Sequence, residues 1–127
     1  MDADALKRKL DAARQFVVED SGRSLTLRLP TETAMRAAVA QLPARSDRAA
    51  GVADLQPILM RQCVVGWAGV RPCDLLDGAP ETSLEFDAEL LDDVFDRWPA
   101  LYDKAYGELM VRYGARIERI EAERKNS

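Results

Sequence analysis

The hydrophobic pattern of this chain changes period twice, from helical to alternating and back to helical. In ADALKRKLDAARQ, Leu6, Leu10 and Ala13 fall at helical spacing with Lys7, Arg8, Lys9 and Asp11 around them, which predicts a short amphipathic helix. QFVVE and SLTLRL alternate instead. Leu25, Leu27 and Leu29 stand against Thr26 and Arg28, so two strands joined by DSGR are predicted. Gly22 in the joint supplies the positive φ of a tight hairpin. A lone hairpin is marginal in water, so its apolar face must lie on helices.

Pro30 ends the second strand and Thr31 is placed to cap a helix over ETAMRAAVAQL, with Met35, Ala38, Val39 and Leu42 as its stripe. PARSDRAAG, residues 43–51, reads as a connection of ordinary length. Asp54 then caps a helix with Pro57 in its first turn. From Leu55 to Trp67 the chain is apolar almost all round, as a buried central helix would be. Gly66 and Gly69 are expected at its C-terminal cap, Pro72 stops it, and Trp67 and Val70 fold back on the turn. A ligand wall built around Trp67 is the weaker reading of the same stretch.

PCDLLDGAPETSLEF reads as a long loop with a turn at Asp77-Gly78 and an anchor at Phe86. Asp87 caps AELLDDVFDRW, whose inward face is Leu90, Leu91, Val94, Phe95 and Trp98, and Pro99 interrupts the chain there. One long helix follows, ALYDKAYGELMVRYGARIERIEAERK, with Tyr102, Ala105, Tyr106, Leu109, Tyr113, Ile117 and Ile120 along one side. Lys104–Glu108, Glu108–Arg112 and Glu121–Lys125 are spaced to pair on its outer side. Gly107 and Gly114 mark either close packing or a bend. The expected fold is mainly α within the α+β class: about five helices with one small N-terminal antiparallel hairpin packed on them. It forms a single domain, 1–127, whose tail from about Arg116 extends from the core.

Composition narrows the chemistry. With 127 residues and 47% apolar content the chain builds one core. A net charge of −4 opposes nucleic-acid binding. No apolar run of about 18 residues exists to span a membrane, and MDADALKRKLDAA lacks the apolar core of a signal peptide, so a cytoplasmic protein is expected. Histidine is absent, which removes the usual general base and excludes Ser-His-Asp and Cys-His activation. Cys63 reads as a core residue and Cys73 as a free thiol in a loop, in no zinc or redox spacing. Asp87, Glu89, Asp92, Asp93 and Asp96 read as a solvated helix face rather than a metal site. No cofactor, no metal and no enzymatic activity are expected.

Tyr102, Tyr106 and Tyr113, with Met110, form the group of most interest, because tyrosine and methionine are favoured at protein contact surfaces. Core and contact surface are both open for them, and the two differ in whether Tyr106 and Met110 are accessible. The hairpin ending in LRLPT, the apolar stretch ending in VVGWAGV, the acidic loop and the LL…W…LY…AY helices together resemble the bacteriophage tail assembly chaperones. Pro30-Thr31 and Trp67-Ala68-Gly69-Val70 carry the likeness, which runs from about Phe16 to Tyr113. It implies a non-enzymatic protein of the host cytoplasm that binds the tape-measure protein and assists polymerisation of tail-tube subunits. An exposed apolar groove would do the binding, with Trp67, Val70, Tyr102, Tyr106, Leu109, Met110, Tyr113 and Ile117 as contact residues. A structural virion, tail-completion or connector protein and a small cytoplasmic adaptor are the alternatives. A homo-oligomer is compatible with the long last helix, although no strict heptad enforces one.

Overall fold

The computed structural model describes residues 1–42 and 48–126, and of 48–53 the backbone only. Helix α1 (Ala3–Ala13) leads into an antiparallel pair, β1 (Gln15–Asp20) and β2 (Arg23–Arg28). Helices α2 (Glu32–Ala40) and α3 (Arg48–Cys63) follow, then a third strand, β3 (Val64–Ala68). A single-turn helix α4 (Pro72–Leu75), a 3-10 turn (Ala88–Leu90), α5 (Leu91–Arg97) and the long α6 (Pro99–Lys125) complete the chain. The chain is α+β, with a three-stranded sheet in the order β1-β2-β3 where a two-stranded hairpin was expected.

Alternation puts Phe16, Val18, Leu25 and Leu27 on one face of the sheet, all buried. That face is covered by α6, whose Leu101, Ala105 and Leu109 are its buried residues. Leu59, Met60 and Cys63 of α3 and Leu91, Val94 and Phe95 of α5 complete the same core. Each buried Leu, Val, Phe or Met side chain among them contributes about 1.5–3 kcal/mol by leaving water.

The third strand is the main departure. Helix α3 stops at Cys63, and VVGWA pairs with β2 instead of continuing as helix. Its β-branched and aromatic residues favour a pleated strand, and β2 has an open side for it. Thr26 faces Gly66 while Leu27 faces Val64, so Val65 is the extra residue of a bulge and Val64 is turned into the core. Gly66 lies inside the strand, not at a helix cap. Gly69 does take the left-handed conformation, φ 78°, but at the exit of a strand. A Cβ there would sit 2.5 Å from the Gly22 carbonyl oxygen, so the hairpin turn and the β3 exit touch backbone to backbone.

Several local expectations hold. Thr31 Oγ1 accepts from the Ala34 N–H at 3.1 Å, and Asp87 Oδ1 from the Glu89 N–H at 2.9 Å. Gly22 and Gly78 have positive φ. Phe86 packs edge-on against Trp67, with ring centroids 4.9 Å apart. Others fail. Because α3 begins at Arg48, Asp54 is not its cap, Pro57 lies well inside it, and residues 48–51 are helical; 43–47 of the expected connection lie outside the described residues. Cys73 belongs to α4 rather than a loop, and Val39 is exposed. Gly107 and Gly114 have open space around them and α6 runs on through both. Of the three expected pairs, Arg112 Nε to Glu108 is formed at 2.7 Å, while Lys104 bonds the Glu19 carbonyl instead.

Gly69→Ala must take a strained φ and displace backbone, so it is expected to lower unfolding free energy by about 2–4 kcal/mol. Gly66→Ala, whose Cβ would meet only Thr26 at an ordinary 3.5 Å, is expected to change it by less than about 1 kcal/mol. Urea denaturation of the two variants checks the contrast.

Candidate partner-binding surface

Helix α6 presents distinct sides, set by its 3.6-residue period. Leu101, Ala105 and Leu109 face the sheet. Tyr102, Tyr106, Met110, Tyr113 and Ile117 follow one another along one flank, all half-buried. Tyr102 stacks on Phe95 of α5, with centroids 4.6 Å apart and planes 28° from parallel. Further along, Tyr113 lies near the charges of Glu32 and Arg36, which places that part of the flank beside α2. Burial raises the phenol pKa of Tyr102, Tyr106 and Tyr113. These hydroxyls therefore act as neutral hydrogen-bonding tips on apolar rings.

The expected contact residues are not all on this surface. Val70 and Leu109 are fully enclosed and belong to the core, so they are corrected from contact residues to packing residues. Trp67 is half-buried on β3, where its indole N–H donates to the Leu84 carbonyl at 2.9 Å and its ring meets Phe86. It is thus apart from the α6 row, which keeps Tyr102, Tyr106, Met110, Tyr113 and Ile117.

Beyond Leu109 no described residue of α6 is buried, yet Tyr113, Ile117 and Ile120 stay half-covered. The tail does not simply project. Leu10 and Ala13 of α1 and Leu29 share a shallow hollow with Arg116, Arg119 and Ile120. Helix α1 buries none of its residues, and Leu6 and Leu10 are about half exposed. These two leucines extend the apolar surface and were absent from the expected contact set. Their signal was present in the sequence, as a leucine stripe on a helix with too few partners.

A polar hub that sequence spacing did not reveal fixes the opposite end of the molecule. Asp74 of α4, its carboxylate only 7% exposed, accepts from the Arg71 backbone N–H at 3.0 Å and from the Arg71 guanidinium at 3.1 Å. Arg23 of β2 approaches it at 3.7 Å while lying over the Trp98 ring, 4.4 Å from the centroid. Arg97 Nε donates to the Asp74 carbonyl. The Arg71 hydrogen bonds, followed by the arginine charges, hold the Asp74 carboxyl below its usual range. Among the acidic cluster, Asp92 is engaged by both Nε and Nη2 of Arg61, at 2.9 and 3.2 Å. Among the described residues no group of acidic or cysteine side chains is arranged to hold a metal, and no helix is long and apolar enough to cross a membrane. Burial pushes the Cys63 thiol up to about 11, which leaves it unreactive at neutral pH.

Asp74→Asn is expected to lower the thermal midpoint at pH 7 by roughly 2–5 °C. The folded-state pKa of Asp74 is depressed, so its contribution is present above the ordinary value of 3.8 and is lost as pH falls through the lower folded value. The gap between wild type and variant should therefore close in acid; scanning calorimetry from neutral pH downward measures it. No protein-family model, curated protein or solved structure matches this chain.

Proposed function

We propose that this chain is a non-enzymatic tail assembly chaperone, which binds helical segments of a tape-measure protein and assists tail-tube polymerisation in the host cytoplasm. The observation that carries the reading is the Tyr102–Tyr106–Met110–Tyr113–Ile117 row. It stays half-accessible along one flank of α6 and continues past the last buried residue, Leu109. Aromatic and thioether side chains held on a rigid helix bury a large area at low entropic cost and adapt to many apolar partners. An amphipathic helix laid along such a flank meets anchors at helical repeat, the usual form of helix-in-groove recognition. Leu10 of α1, beside the α6 tail, lengthens the surface toward the C-terminal end.

The sequence resemblance supplies the biological context. Pro30-Thr31 marks the passage from β2 into the cap of α2, and Trp67-Ala68-Gly69-Val70 forms the exit from β3. Both stretches frame the core and lie apart from the row, so the proposed binding role rests on α6 and not on these motifs.

Coexpression with a tail tape-measure protein from the same genome should render that protein soluble and recover the two together. Tyr106→Glu with Met110→Glu, both at half-exposed positions, should reduce the recovered complex at least tenfold while leaving the circular dichroism unchanged. Mass spectrometry of purified virions should not find the chain. An insoluble, unbound tape-measure protein, or a stoichiometric amount of this chain in virions, contradicts the reading, the latter in favour of a structural tail subunit.

A further inference from the structure

We propose that two copies of this chain pair through the free edge of β1, joining their sheets into one continuous antiparallel sheet. The inference goes beyond the chaperone reading and does not depend on it. Strand β1 is an outer strand. The Leu29 N–H donates to the Arg14 carbonyl at 2.9 Å, which makes Arg14 and Leu29 a hydrogen-bonded pair in the β1–β2 register. Antiparallel alternation then turns the backbone groups of Phe16, Val18 and Asp20 toward β2, and those of Gln15, Val17 and Glu19 outward. The contact from Lys104 to the Glu19 carbonyl agrees with this direction. Beside the opposite edge runs the Leu84 segment, whose carbonyl accepts from the Trp67 indole and whose N–H donates to the Val70 carbonyl just past β3. Among the described residues only Lys104 bonds the outward groups of β1, and the Val17 side chain is 55% exposed.

The sequence of the strand selects its occupant. RQFVVED, residues 14–20, is self-complementary about Val17. Antiparallel pairing on a two-fold axis at Val17 sets Arg14 opposite Asp20, Gln15 opposite Glu19 and Phe16 opposite Val18. Unlike charges meet at both ends, whereas a parallel alignment would place like charges side by side. The same register matches every outward N–H of Gln15, Val17 and Glu19 with an outward carbonyl. Glu19 can accept from Gln15 of the second copy and from Lys104 together, because a carbonyl has two lone pairs.

Helix α6 fits the same symmetry. Lys104 reaches Glu19 and Arg112 lies over the Phe16 ring at 4.6 Å, so α6 runs antiparallel to β1 above the β1–β2 pair. Strands lie about 4.8 Å apart, which sets the two copies of α6 about 10 Å apart across the seam, the spacing of packed helices. Lys104, Glu108 and Val111 occupy the flank of α6 that faces this seam. Pairing covers Val111, an apolar residue left 69% exposed in the single chain. Glu108, nearest the axis, is offset by Lys104 and Arg112 one turn to either side in both copies.

Sedimentation equilibrium of the full chain should give twice the 14.1 kDa chain mass at micromolar concentration. Val17→Lys puts a charge on the outward edge without touching the β1–β2 ladder, and should return the single-chain mass with an unchanged far-ultraviolet spectrum. Crosslinking tests the register independently of that variant's folding. In a Cys73→Ser background, Val17→Cys sets its own copy at a Cα separation of about 5.5 Å, within disulfide reach. It should crosslink on mild oxidation, at least tenfold faster than Glu81→Cys on the exposed loop. A single-chain mass for the wild type at millimolar concentration, a folded Val17→Lys variant that keeps the double mass, or equal crosslinking of the two cysteine variants overturns the proposal. So does protection of the Val17 amide only in a complex with another protein, which would give the edge to that partner.

Discussion

A three-stranded sheet with a single apolar face has to be covered, and the rest of this molecule follows from how α6 covers it. Phe16, Val18, Leu25 and Leu27 present that face, and Leu101, Ala105 and Leu109 close it. Ala105 has little side chain to hold the helix off the sheet, and it is fully enclosed. With α6 set along β1 and β2, α3 and α5 fill the remaining sides of the core. The Asp74 hub then ties the β2–β3 end to α4, α5 and Trp98 through Arg23, Arg71 and Arg97. A charged cluster is a costly tie unless its partners are matched. Here three arginines share one carboxylate, one backbone carbonyl and one indole face.

The same placement divides α6 lengthwise. One side is spent on the sheet, and the flank toward α2 and α5 carries the tyrosine and methionine row. The flank toward the β1 edge carries Lys104, Glu108 and Val111. The proposed binding row and the proposed self-association seam lie on opposite flanks of one helix and would use different side chains. Beyond Leu109 the helix buries none of its described residues and keeps a lighter cover, from Arg112 over Phe16, from α2 beside Tyr113, and from α1 and Leu29 at the tail.

How much of this was legible in the sequence depended on the kind of signal. Alternation at Leu25 and Leu27, the Thr31 and Asp87 caps and the positive φ at Gly22 are local, and local chemistry decided them. The third strand was not legible from Leu55–Trp67, because an apolar run carries no period that separates helix from strand. The vacant side of β2 decided it, and that is a tertiary fact. Gly69 was recognised as a left-handed residue but attached to the wrong element for the same reason. Within the contact set, helical spacing put Leu109 and Tyr106 in one group, since it cannot tell the centre of a buried stripe from its border. Val70 was misassigned because its turn closes onto the core. The Asp74 hub joins residues from three regions of the chain, and no spacing rule encodes such a meeting.

Native-state hydrogen exchange resolved residue by residue tests the central claim, that α6 is anchored by its first three turns over the sheet and lightly held beyond. The account predicts that the amides of 101–109 and of Leu25 and Leu27 open only with global unfolding. Those of α6 after Tyr113 should exchange through local opening, at rates higher by at least two orders of magnitude although they are helical. Equal protection along the whole of α6, or early exchange at 101–109 with β2 still protected, would contradict it.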